Sequence, residues 1–363
     1  MYPALTTWQA LKNKLGQDLD TLWIGSEGGM EADLVKQTDL TYRTIPAAGL
    51  HGVGLRAIPG NISRLLRGFR EAQKILHEFK PDILFFTGGY LAVPVALAGR
   101  NISKVLYVPD IEPAFALRTL AQMSQKIALT VEESRSYFSD SFQQRLVVTG
   151  YPIRPDLKTW TRQTAFSYFQ LEENIPVILV TGGSKGARSI NQALLKFLPD
   201  LLPETQIVHI SGNTNWAEIK EESQKIITNF KLETLTSRYH LMPYLHEMGA
   251  ALAAADLVIS RAGASSLGEY PYFGLPAVLI PYPHAWQYQK TNASYLEKRG
   301  AAIILPDDVL NERLFSKIHT LLNEPGNLEQ MRKASQSLAK PSAAEDIANL
   351  IVDEMERRRG IRQ

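Results

Sequence analysis

The sequence predicts a two-domain α/β protein, each domain a parallel sheet with helices on both faces. Short apolar runs recur along the chain, separated by stretches with helical periodicity, and strands separated by helices pair in parallel. Several runs end in glycine-rich or acidic turns, at Gly182-Gly183, Thr87-Gly88-Gly89-Tyr90 and Pro109-Asp110. Open α/β sheets place their ligand groups at such strand ends. The 363 residues also exceed what one core usually holds, so two domains are expected.

The first domain is expected over residues 1–149. An amphipathic helix spans Pro3–Leu15, with Pro3 tolerated in its first turn. A short strand at Leu22–Ile24 ends at Gly25-Ser26-Glu27-Gly28-Gly29, before a helix at Met30–Gln37 and an extended piece at Tyr42–Ile45. A glycine-rich loop, Ala47–Gly60, leads into a long helix, Asn61–Phe79. Strands follow at Ile83–Phe86, Val105–Val108, Ile127–Thr130 and Leu146–Val148, with a helix from Leu91 to Gly99. The rigid run Gly150-Tyr151-Pro152-Ile153-Arg154-Pro155 marks the domain boundary.

The second domain, 150–341, repeats the alternation. Strands are expected at Val177–Val180, Gln206–Ile210, His240–Leu241, Leu257–Ile259, Ala277–Ile280 and Ala302–Leu305. Helices are expected at Asn191–Leu198, Asn215–Asn229, Glu247–Ala254, Ser265–Phe273, Gln287–Arg299 and Asn311–Asn323. A last helix, within 342–363, follows the second sheet and could pack back on the hinge.

Composition removes several classes. With 45% hydrophobic and 21% charged residues the chain is neither disordered nor fibrous. No cysteine means no disulfide, no cysteine-ligated metal and no thiol nucleophile. A net charge of +2 gives no bulk pull toward nucleic acid. No basic segment with an apolar run follows Met1, and no apolar stretch reaches the roughly 20 residues a membrane span needs. Peripheral attachment stays compatible with this composition.

Four features carry chemistry. In Val177–Asn191 a β-rich run meets Gly182-Gly183 and then Ser184, before a helix. Such a turn gathers backbone N–H groups and a positive helix end onto an anion, or simply joins strand to helix. It matches neither GxGxxG nor the P-loop spacing. In Ala255–Asn292, a strand and small-residue turn feed a helix start at Ala264-Ser265-Ser266 that offers free N–H groups to a diphosphate. Glu269, one turn on, is placed either to accept from ribose hydroxyls or to face solvent. Gln289 and Asn292, three apart on the next helix, could bind sugar hydroxyls. In the first domain, Asp110 and Glu112 follow a strand end and could serve as general base or bind acceptor hydroxyls; alternatively Asp110 merely caps a helix near Pro113. Finally, Arg64, Leu65, Arg67, Phe69 and Arg70 give the long helix a basic, apolar surface. It is either an ordinary surface helix or one that rests on anionic headgroups.

Together, GGSKGARSIN, SRAGASSLGE, Gly274-Leu275-Pro276, the Pro281–Asn292 loop, Gly150–Arg154 and Thr87–Tyr90 resemble the GT-B glycosyltransferases. More narrowly they resemble the MurG-type family-28 transferases of peptidoglycan synthesis, across essentially the whole chain. The resemblance implies two Rossmann-like domains facing across a cleft. It implies inverting transfer of N-acetylglucosamine from UDP-GlcNAc to lipid I, giving lipid II, with neither metal nor other cofactor. By position, Leu245 would meet uracil through its backbone and Glu269 the ribose. Ser184, Ala264 and Ser265 would meet the diphosphate, Arg154 the phosphates and Gln289 the donor sugar. The acceptor is a polyprenyl diphosphate, so the enzyme is expected on the cytoplasmic face of an anionic cell membrane, with the basic helix against it. Nucleic acid is not an expected partner.

The chain departs from the family pattern in three places. A first strand and Gly-Gly-His turn are expected ahead of Met1-Tyr2-Pro3-Ala4-Leu5, so translation is expected to begin roughly a dozen residues upstream. Val108-Pro109-Asp110 replaces the usual Glu-Gln-Asn, and Tyr288 precedes Gln289. The alternatives are a related GT-B transferase with another lipid or small-molecule acceptor, or a non-catalytic UDP-sugar-binding paralogue. A sugar-nucleotide epimerase would need acids and a histidine around the cleft; His209, His240, His246 and His284 are available, but their strand or helix contexts suggest structural roles.

Overall fold

The computed structural model describes residues 1–28, 31–47, 58–183, 186–283, 288–324 and 326–362. Most of the expected loop Ala47–Gly60, together with Met30, Ser184 and His284, lies outside these residues. The chain divides into two units, Met1–Pro152 with Ser342–Gln363, and Ile153–Pro341.

The first unit opens on the helix Tyr2–Leu15. Strand β1 (Leu22–Ser26) pairs in parallel with β2 (Thr41–Ile45). Strands β3 (Ile83–Phe86), β4 (Ser103–Val108), β5 (Lys126–Leu129) and β6 (Leu146–Val148) form a second parallel sheet in that order. Among the described residues, β1 and β3 each keep one edge without a strand partner. The buried strand β4 is central, and an apolar run with both faces covered needs no alternation. The long helix runs Ile58–Phe79, with Pro59 in its first turn. It buries Ala72, Ile75 and Leu76 in a core shared with Leu84, Phe86, Leu106 and Ile127. Its approach to the end of β2 is close: a Cβ on Gly68 would lie 2.2 Å from the Pro46 carbonyl.

The last helix, Ala343–Arg362, belongs to this unit and packs on the first helix and β4. It buries Ala343, Ile347 and Ile351, and Ser103 Oγ donates to Glu354 Oε1 at 2.9 Å.

The second unit holds one six-stranded parallel sheet. Its strands are β7 (Val177–Thr181), β8 (Gln206–Ile210), β9 (Tyr239–Met242), β10 (Leu257–Ser260), β11 (Ala277–Leu279) and β12 (Ala302–Ile304). Their order is β12-β11-β10-β7-β8-β9. The chain therefore runs outward from β7 to β9, then returns to β10 on the other side. The exits of β7 and β10 flank this switch point, where open α/β sheets bind ligands. Helix Arg188–Leu201 buries Ile190, Leu194, Leu195 and Leu198 against Ile178 and Val180 of the central strand.

Three local expectations change. The helix expected over Ser265–Phe273 is two pieces, a 3₁₀ turn Ala264–Leu267 and a short helix Glu269–Phe273, broken at Gly268. The helix expected from Asn191 begins at Arg188 and ends at Leu201. Helices Arg162–Phe169 and Asn327–Ser337 were not anticipated. The first of these is fixed by a reciprocal cap between Thr161 and Thr164 and buries only Ala165 and Phe169, too weak an apolar pattern to read.

Candidate donor-sugar site

At the exit of β7, Gly183 N–H donates to Thr181 Oγ1 at 3.2 Å. Gly183 and Gly186 adopt φ of 81° and 76°, which side-chain-bearing residues rarely do. A Cβ on Gly186 would lie 2.2 Å from the Ser211 carbonyl, so Gly186 sits directly on the exit of β8. Helix Arg188–Leu201 then starts at Ala187 with no side-chain cap on its first N–H groups.

At the exit of β10, Ser260 Oγ lies 2.7 Å from the Tyr270 hydroxyl, and Ser266 Oγ donates to the Gly263 carbonyl at 2.6 Å. These bonds fix the 3₁₀ turn that carries Ala264 and Ser265. Glu269, half-buried, starts the next helix. Burial pushes its carboxyl up to about 7, against the opposing pull of the Arg154 charge and a hydrogen bond from Ser265. Arg154, far away in sequence, is thus near enough for its charge to act on Glu269, and it also pairs with Asp156 at 3.5 Å. An arginine, a hydroxyl and an acid converge at the switch point, the groups that diphosphate and ribose require.

The other expected contacts are mixed. Gln289, half-buried, begins the helix Tyr288–Lys298, and its Oε1 accepts from the Tyr282 N–H at 2.9 Å. Asn292 is fully buried and donates from Nδ2 to the Ala262 carbonyl at 3.2 Å. This bond ties the helix to the turn after β10. Leu245 is half-buried between β9 and the helix Met248–Ala254. His209 is buried between Tyr239 and Asn191, at 2.8 and 3.0 Å. Burial lowers its pKa to about 3, so it stays a neutral structural link rather than an acid–base group. Among the described residues no cluster of His, Cys, Asp or Glu could hold a metal.

In the first unit, Asp110 and Glu112 follow β4 and are half-buried. Thr130 Oγ1 donates to the Pro109 carbonyl at 2.8 Å, fixing the bend before Asp110. Glu112 pairs with Arg118 at 3.4 Å. The next helix is Phe115–Met123 with Ala114 as its N-cap, so Asp110 does not cap it. In the helix Ile58–Phe79, Arg64, Leu66, Arg67 and Arg70 are exposed while Leu65 and Phe69 are half-buried. No helix among the described residues is long and apolar enough to cross a membrane.

Two α/β units of parallel strands, the second with this anion-ready switch point, have the GT-B architecture, and the family match makes the chain a glycosyltransferase. Residues 1–129 match the glycosyltransferase family 28 N-terminal domain, and residues 177–347 match the family 28 C-terminal domain. The chain belongs to glycosyltransferase family 28. A relative from Roseiflexus sp. (strain RS-1) is 38% identical over 91% of this chain and 82% of its own length. One from Desulforamulus reducens is 34% identical over 97% of this chain and 94% of its own. Both are named UDP-N-acetylglucosamine--N-acetylmuramyl-(pentapeptide) pyrophosphoryl-undecaprenol N-acetylglucosamine transferase. The crystal structure of Acinetobacter baumannii MurG has the same fold, with a TM-score of 0.70 and 24% identity over 96% of each chain.

Arg261 stood in the sequence only as part of a motif, and Asp307 gave no signal at all. In the structure they pair at 2.5 Å among the strand exits of the second unit.

Proposed function

We infer that the chain transfers N-acetylglucosamine from UDP-GlcNAc to the lipid-linked N-acetylmuramoyl-pentapeptide, lipid I, forming lipid II with inversion at the anomeric carbon. The family membership of the whole chain carries this conclusion, and the gathering of Arg154, Ser265 and Glu269 supports it. The acceptor hydroxyl attacks the anomeric carbon as the bond to the UDP oxygen breaks. One base must take the hydroxyl proton, and cationic and N–H groups must stabilise the departing diphosphate.

Glu269 accepts from the ribose hydroxyls, and the backbone at Leu245 meets uracil. Arg154, Ala264 and Ser265, with Ser184 on the glycine turn, hold the diphosphate. Gln289 meets the donor sugar. Asp110 is the candidate base; Glu112, already paired with Arg118, is the weaker one. The enzyme works at the cytoplasmic surface of an anionic membrane, with Arg64, Leu65, Arg67, Phe69 and Arg70 toward the headgroups.

Incubation with UDP-GlcNAc and a lipid I analogue tests the assignment, with UDP and a disaccharide product as the expected outcome. UDP-GlcNAc binding without turnover would indicate a binding paralogue. Release of UDP only with a different acceptor would indicate a related transferase.

A further inference from the structure

The donor-site residues leave the sheet at three adjacent strand exits: the glycine turn after β7, the Ala264–Glu269 segment after β10, and the loop to Gln289 after β11. Nothing in a loop's own sequence fixes its distance from its neighbours. In this sheet a single guanidinium spans them. Arg261 Nη1 donates to Asp307 Oδ1 at 2.5 Å and to the Ile280 carbonyl at 3.2 Å, and its Nη2 donates to Ser189 Oγ at 2.9 Å. Ser189 Oγ in turn donates to the same Asp307 oxygen at 2.9 Å. The Arg261 guanidinium also stands 5.2 Å from the centre of the Tyr282 ring.

Each partner marks a different exit. Ser189 is in the first turn of the helix that follows the glycine turn. Arg261 immediately follows β10, and Ile280 and Tyr282 follow β11. Tyr282 is the residue whose N–H holds Gln289. Asp307 opens the 3₁₀ turn Asp307–Val309 after β12 and supplies no expected donor contact. With side chains only 11% and 24% exposed, Arg261 and Asp307 form a largely desolvated pair, where geometry is held more firmly than in a surface ion pair.

We propose that Asp307 is a positioning residue for the sugar nucleotide. Through Arg261 and Ser189, it fixes the spacing of the β7, β10 and β11 loops around the donor. In this assignment Asp307 acts on the diphosphate and the sugar only through the loops, not by contact. This rests on the donor-site assignment above.

Asp307→Asn keeps the shape and removes the charge, leaving Arg261 without its carboxylate. Arg261→Lys keeps a charge but cannot reach Ser189, Asp307 and Ile280 together. Because misplacing a donor loop acts on donor binding first, each variant is expected to raise KM for UDP-GlcNAc about tenfold. KM for the lipid I analogue should stay within about twofold, and kcat within about threefold. The double variant should be no worse than either single one, since both break the same cycle.

An unchanged KM for UDP-GlcNAc in Asp307→Asn overturns the proposal. So does a parallel rise in both KM values together with a lower melting temperature, which marks a merely structural pair. Glu269→Ala, measured alongside by UDP titration, separates the two levels. If Glu269→Ala leaves UDP binding intact, the donor-site assignment itself has failed. If it abolishes binding while Asp307→Asn has no effect, only the positioning role has failed.

Discussion

Glu269 carries the most titration-sensitive of the proposed donor contacts. Its carboxyl is raised to about 7 by burial, so near neutrality the free protein holds both acid and carboxylate. Ribose hydroxyls donate, and therefore select the carboxylate. Below pH 7 a proton must leave before UDP binds, so affinity should fall about tenfold for each further pH unit. Folding has the opposite sign. The raised pKa contributes stability that is fully present below the ordinary value of 4.5 and lost as pH rises through about 7. UDP titration calorimetry across this range should show proton release and weaker binding toward acid, and Glu269→Gln should flatten both. A flat profile in the unsubstituted protein would count against the ribose contact. Asp110 is tested by rate. Asp110→Asn should lower kcat by about 10²–10⁴ with an unchanged melting temperature, the usual weight of a general base. Glu112→Gln loses a half-exposed ion pair with Arg118, for which a change of under about 1 kcal/mol is expected. Full turnover by Asp110→Asn would end its candidacy. Spacing makes Gln289 and Asn292 neighbours on a helix, but it does not say how far each is buried: Gln289 is half-buried and Asn292 fully so.

The helix Ile58–Phe79 divides its work by face. Ile75 and Leu76 are buried in the first unit's core, while Arg64, Leu66, Arg67 and Arg70 are exposed. Ile75→Ala should cost about 2–5 kcal/mol of stability, read as a lower denaturation midpoint. Replacing Arg64, Arg67 and Arg70 by Glu should leave that midpoint nearly unchanged. Each basic residue near an anionic surface contributes about 1 kcal/mol, so losing three should weaken vesicle binding at least 100-fold at low salt. Equal binding to anionic and neutral vesicles would remove the membrane role from this helix. Most elements were legible because the sheets are buried on both faces, which makes β4, β7 and β8 continuous runs bounded by turns. The break at Gly268 was not, since a glycine inside an apolar pattern does not announce whether the helix stops there. The Arg261–Asp307–Ser189 cycle was invisible for a different reason. Its members are brought together only by the strand order β12-β11-β10-β7, which no local pattern encodes.

At the scale of the whole molecule, the first unit is built from both ends of the chain. Residues Ser342–Gln363 return to Met1–Pro152, whereas Ile153–Pro341 is continuous. Each unit buries its own apolar cluster. The terminal helix supplies Ile347 and Ile351 to the first unit and caps β4 through Glu354 and Ser103. A chain ending at Pro341 therefore strips that unit of a buried helix while leaving the second unit's sheet and the segments that carry Arg154 and Glu269 covalently intact. Loss of several fully buried aliphatic side chains, each contributing about 1.5–3 kcal/mol, rivals the whole stability of an ordinary domain. Such a truncated chain is expected to lose transfer activity and to expose the first unit to protease, while a fragment near residues 153–341 survives. UDP should still bind that fragment. At 100 times its Kd it should stabilise the fragment by about 2.7 kcal/mol, visible as a ligand-dependent shift of its melting transition. If the truncated chain lost UDP binding along with the first unit, the donor site could not be a property of the second unit alone.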